Sequence, residues 1–171
     1  MSLLQRLFGA SNQREAAAPL YRAVVARGRD PSWYREGRVP DTVDGRFDMI
    51  AAILALVLIR LEADGEAGRI PSVLLTEAFV DDMDASLRQI GIGDYVVGKH
   101  VGRMMGALGG RLGAFRDAGA GDGLDAAVRR NIFHDAPPSD EALAFVTQGL
   151  SAFAAALPAA DLETLLTGKL P

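Results

Sequence analysis

"RVPDTVDGRF" (residues 38–47) runs straight into "DMIAAILALVLI" (residues 48–59), and the way these two segments join decides the fold. The run from Met49 to Ile59 is unbroken apolar sequence between Asp48 and Arg60. A membrane span needs about 20 such residues, so the run reads as a core helix, over residues 43–64. Its entry is written in the first segment. Pro40 disfavours helix immediately before it. Asp41 and Thr42 are good capping residues, and Asp44 falls in the first turn, where the helix dipole favours an acid. Arg46 in that turn is unfavourable by about 0.3–1 kcal/mol and calls for a carboxylate partner: Asp41, Asp44 and Asp48 are near in sequence, and Asp81, Asp82, Asp84 and Asp94 are available elsewhere. Gly65 or Gly68 closes the helix.

Working outward, the chain reads as helical throughout. Valine and isoleucine nowhere alternate with polar residues over a strand's length, and no Asn-Gly or Asp-Gly turn joins two such runs. A helix is expected over 14–29, with Pro19 near its first turn, after a short amphipathic start, "SLLQRLF". "DPSWYREGRVPDT" (30–42) is a connector. Pro71 suits the first turn of the next helix and Gly91 its end. Further helices are expected over 94–118 and 124–134, then one capped by Ser139 and a last short one stopped at Gly168. The expected fold is all-α, a single helical bundle of about six to eight helices with short loops. It forms one domain over residues 1–171, with a motif-bearing core (14–118) and C-terminal helices (122–171). Pro137-Pro138 is the best seam between the two.

Composition narrows the function. Hydrophobic residues make up 49% of 171, enough for a sizeable core. The net charge of −4 argues against a nucleic-acid partner. There is no cysteine, and His100 and His134 stand far apart, so no zinc pattern or thiol nucleophile is present. Carboxylates without a histidine, metal motif or nucleophile make a weak catalytic case. In "DDMD" (81–84), Asp84 stands four residues before Arg88, as an intrahelical pair would. The expectation is a protein that is not an enzyme, with no metal or cofactor. It is expected to be cytoplasmic, with a weak contact at the inner membrane surface through "SLLQRLF".

"DYVVGKHVGRMMGALGGRLGAFRDA" (94–118) is the second informative stretch. At 100° per residue, Val97, Val101, Met104, Met105, Leu108, Leu112 and Phe115 share one arc. Gly98, Gly102, Gly106, Gly109, Gly110 and Gly113 share the next. Lys99, His100, Arg103 and Arg111 are assigned to the far side. Each glycine costs roughly 0.8–1 kcal/mol against alanine, so close approach of another helix must offset them. Two readings stay open: an internal neighbour such as the apolar helix, or an apolar helix from another protein. Trp33 and Tyr34, beside Arg35 and Arg38, likewise read either as interface aromatics or as core plugs.

Taken together, "LYRAVVARGRDPSWYREGRVPDTVDGRFDMI" (20–50) and "VDDMDASLRQIGIGDYVVGKHVGRMMGALGGRLGAF" (80–115) resemble the ubiquinol–cytochrome c chaperone family. The resemblance rests on Tyr21, Pro31 and Tyr34; on Val39 to Thr42 with Gly45 to Asp48; and on Asp84, Leu87, Arg88, Gly91 and Asp94. It covers about residues 20–116, and no motif reaches the chain beyond Gly119. It implies an all-helical, non-enzymatic assembly factor of the respiratory bc complex. The implied client is cytochrome b or an early bc-complex intermediate, with a small protein partner by analogy. The partner-binding candidates are Trp33, Tyr34, Arg38, Asp41, Arg46, Asp48, Asp84, Arg88, Asp94, Gly98, Lys99, Gly102, Arg103 and Gly106. The rival expectation is a protein that binds a small apolar ligand, quinone or lipid, beside Met104 and Met105.

Overall fold

The computed structural model describes residues 3–89, 91, 93–118, 123–134 and 138–171, with side chains from residue 16 onward apart from those of 94 and 95. Among the described residues there are only helices and the turns between them. The order is α1 (Leu3–Gly28), α2 (Pro31–Arg35), α3 (Val43–Glu62), α4 (Glu66–Gln89), α5 (Asp94–Ala118) and α6 (Gly123–Val128). A π-helical turn, Arg129–Phe133, follows; then come α7 (Asp140–Ala156), a 3₁₀ turn (Leu157–Ala159) and α8 (Leu162–Leu166).

α3 is the central rod. It packs against α1, α4, α5 and α7, and every residue from Phe47 to Leu58 is buried. A helix that is apolar all round has to be surrounded, and fully burying each leucine, isoleucine or valine contributes about 1.5–3 kcal/mol. Thr42 caps the helix, its hydroxyl accepting from the Gly45 N–H at 3.1 Å. The loop from Pro40 folds so tightly over this first turn that a β-carbon at Gly45 would lie 2.0 Å from the Pro40 carbonyl oxygen. At the other end, Gly65 takes a positive φ of 60°. A β-carbon on Gly68 would strike the Leu61 carbonyl oxygen at 1.9 Å. Both glycines are needed for α4 to fold back along α3.

Three boundaries depart from the sequence reading. α1 is one helix running through Pro19, with Ala17, Leu20 and Val24 buried on either side of it, so packing carries the helix across the missing N–H. α4 begins at Glu66, five residues ahead of Pro71. The 30–42 connector contains a helical turn, α2, capped by Asp30, whose carboxylate accepts from the Ser32 N–H (2.9 Å) and hydroxyl (2.6 Å). The Ser139 cap and the α5 boundaries fall where the sequence placed them. The amphipathic character expected of "SLLQRLF" concerns side chains outside the described set.

The C-terminal helices share the same core. Val146, Leu150 and Phe153 of α7, Leu157 and Leu165 join the buried cluster of α1, α3 and α4. Arg60 of α3 ties them down, donating from Nη2 to the Ala160 carbonyl (2.8 Å) and from Nε to that of Leu157 (3.3 Å). Asp140–Ala159 is long and apolar enough to cross a membrane by length and composition; here its inner face completes the bundle.

Candidate functional site

α5 lies on α3 and α4 through its apolar arc. Val97, Leu108 and Phe115 are buried, while Val101, Met104, Met105 and Leu112 are partly covered. This orientation buries the most hydrocarbon and turns the glycine arc away from the bundle. Among the described residues, a β-carbon placed on Gly98, Gly102, Gly106, Gly109, Gly110 or Gly113 would meet no neighbouring atom within 4 Å. The internal-neighbour reading of these glycines is therefore overturned, since α3 approaches the opposite side of α5. Lys99 and Arg103 are exposed with Gly98, Gly102 and Gly106. Arg103 donates to His100 Nδ1 at 2.6 Å.

Arg111, which the sequence assigns to the same outer face, is instead buried. Its side chain is 2% exposed and forms an ion pair with Asp48 of α3. It also donates to the Asn131 carbonyl at 2.7 Å and lies over the Phe47 ring, 5.5 Å from its centroid. His134, just past the π turn with φ 49°, places Nε2 2.7 Å from the other oxygen of Asp48. Burial pushes the Asp48 carboxyl up, against the opposing pull of Arg111 and His134. Burial likewise lowers Arg111, against the pull of Asp48. Asp48 is thus a core residue joining α3, α5 and the π turn, not part of an exposed partner surface. The signal for Arg111 was in the sequence: it stands three residues after Leu108 and four before Phe115, on the buried stripe.

Trp33 is also corrected. It is 3% exposed and plugs the core, donating from Nε1 to the Arg27 carbonyl at 2.8 Å and sitting against Gly149, where a β-carbon would lie 2.7 Å from the ring. Tyr34 is partly buried, its hydroxyl donating to the Gly28 carbonyl at 2.8 Å. Arg38 is exposed in a left-handed conformation, φ 54°. Arg46 finds the partner its position demanded, donating from Nε to Asp41 at 2.6 Å. This hydrogen bond holds the Asp41 carboxyl below the usual range. Arg88 pairs with Asp84 at 2.6 Å, one helical turn apart. The side chain of Asp94 lies outside the described residues.

Between the start of α3, the end of α4 and the middle of α5 lies an open groove of about 200 Å³. Phe47, Ile50, Met83, Leu87 and Met104 line it, Val43 stands at its mouth, and Arg29 and Arg46 form its rim. The same two arginines enter an adjoining basin of about 420 Å³ with Tyr34, Arg35 and Asp41. Among the described residues, the groove and basin are lined by apolar and cationic side chains, with Ser86 and Gln89 as the uncharged polar members of the groove and Asp41 as the carboxylate of the basin.

Residues 35–170 match the family model described as Ubiquinol-cytochrome C chaperone. The chain belongs to the ubiquinol–cytochrome c chaperone family. The match extends well past residue 116, taking in the C-terminal helices that no recognised motif had reached. Among solved structures, the crystal structure of the Cbp3 homolog from Brucella abortus is similar to this chain. It shows 29% identity and a TM-score of 0.79 over 99% of this chain and 95% of that one. No curated protein matches. All-α architecture is what the structure shows among the described residues.

Proposed function

We propose that this protein is a non-catalytic assembly chaperone of the ubiquinol–cytochrome c reductase, with cytochrome b or an early bc-complex intermediate as its client. The outward glycine face of α5 carries this reading. Six glycines on one helix cost stability, and none of the described residues of the bundle approaches them. A face without side chains lets an apolar helix lie close to the backbone, the contact that helices of membrane subunits make with one another. Lys99 and Arg103 flank it and would favour acidic client loops at the rim. Family membership and the Brucella abortus Cbp3 homolog support the same role.

The test places bulk on the bare face. Gly102→Leu with Gly106→Leu fills space that is open in the isolated protein, so melting temperature should hold or rise. Co-purification of bc-complex subunits from native cells should fall several-fold, and assembled reductase with it. Unchanged capture by this stably folded variant would remove the glycine face from the mechanism. A small protein partner would appear in the same capture.

A further inference from the structure

The geometry points to a second site, distinct from the glycine face: the groove between α3, α4 and α5 binds an anionic phospholipid. One acyl segment lies on the apolar floor, and the headgroup phosphate lies between Arg29 and Arg46. The groove is apolar along Phe47, Ile50, Met83 and Leu87. Val43, 59% exposed, extends this surface to the mouth. Binding grooves combine such a mainly apolar lining with a few placed polar groups.

Charge selects the other half of the ligand. Among the described residues Arg29 and Arg35 enter no ion pair or hydrogen bond through their side chains. Arg46 has one carboxylate partner, Asp41, and both are well exposed, where such a pair is weak and screened. Three guanidinium groups thus converge on one basin with a single carboxylate. Guanidinium pairs match phosphate oxygens in geometry and charge. Tyr34 supplies no donor to the headgroup, its hydroxyl already donating to the Gly28 carbonyl.

A phospholipid fits better than an acidic peptide. A peptide main chain laid in the groove would leave N–H and C=O groups facing an apolar floor, where Ser86 and Gln89 are the polar lining residues besides the arginines. A hydrocarbon chain asks for no such partners.

Vesicle co-sedimentation of the full chain tests this, using phosphatidylcholine alone or with about one-third phosphatidylglycerol, a composition that gives a negative surface. The anionic vesicles should bind at least about tenfold more protein at low salt, and the difference should shrink as salt rises. Arg29→Gln with Arg35→Gln should abolish most of it. Val43→Asn, which leaves the charge unchanged, should weaken it about threefold, by loss of apolar contact. In a second arm, soluble dihexanoyl phosphatidylglycerol should raise the melting temperature of the wild type, while inorganic phosphate at equal concentration should not. Equal binding to neutral vesicles, or indifference to the arginine pair, overturns the site. Loss with the arginine pair but none with Val43→Asn, together with protection by phosphate alone, reduces it to an anion patch and overturns the acyl contact. An acidic apolar peptide that protects where the lipid does not would assign the groove to a protein segment instead. The double-leucine glycine variant should bind vesicles like the wild type, which separates this test from that of client capture.

Discussion

Asp48 and Arg111, 63 residues apart in sequence, form a buried ion pair that fastens α5 to the start of the central helix. Both ends are withdrawn from solvent, and that burial raises the carboxyl and lowers the guanidinium. Such a pair contributes little net stability, yet removing one member strands the other. Asp48→Leu and Arg111→Met should each cost about 3–5 kcal/mol in urea unfolding, and the two together much less than the sum. Additive losses in that cycle would mean that the two groups are not coupled.

Tyr21 of α1 donates its hydroxyl to Asp82 of α4 at 2.7 Å. Burial first, and then Asp82, push the phenol far above its ordinary range. A group whose folded pKa is raised lends stability below its unfolded pKa, and this is lost as pH rises toward the folded value. The contribution of Tyr21 should therefore be complete below roughly pH 10 and fade above it. Tyr21→Phe should cost about 1 kcal/mol at neutral pH and flatten the alkaline limb of a stability–pH curve above pH 10. An alkaline limb identical to that of the wild type would separate Tyr21 from the transition.

The glycines divide into two classes with opposite expected signs. Gly106→Ala and Gly109→Ala meet open space, so each should stabilise α5 by about 0.5–1 kcal/mol through helix propensity. Gly45→Ala and Gly68→Ala would drive a methyl group into the carbonyls of Pro40 and Leu61, and should destabilise by about 1–3 kcal/mol or more. Thermal melts of the four variants settle the division.

Gly149→Ala pushes a methyl group toward the Trp33 ring, 2.7 Å away. Trp33 is the single tryptophan, so the disturbance has its own optical readout. The variant should lose about 1–3 kcal/mol and shift the tryptophan emission. Unchanged emission with unchanged stability would show that the ring has room to move.

Much of the fold was legible because it was local. The unbroken apolar run announced a surrounded helix, and Thr42 and Ser139 announced their caps. Gly65, Gly91 and Gly168 marked ends, and all three take positive φ. The wheel of α5 separated its apolar arc from its glycines correctly. What failed was assignment by residue type. Arg111 was read with the outer cations although its register put it beside Leu108, and Trp33 could not be told from an interface aromatic. The basin at Arg29 was also missed, since it joins the end of α1 to the start of α3, and no periodicity within one helix reports such a meeting.

The sequence alone determined which segments are helical, where several are capped, and that one of them must lie at the centre, because these follow from spacing, capping and hydrophobicity along a few turns of chain. Only the tertiary structure decided which way α5 faces. Burying its apolar arc against α3 leaves the glycines outward, carries Arg111 into contact with Asp48, and places arginines from two separate elements around one groove. Those outcomes depend on how whole helices share a limited interior, a competition that no single stretch of sequence contains.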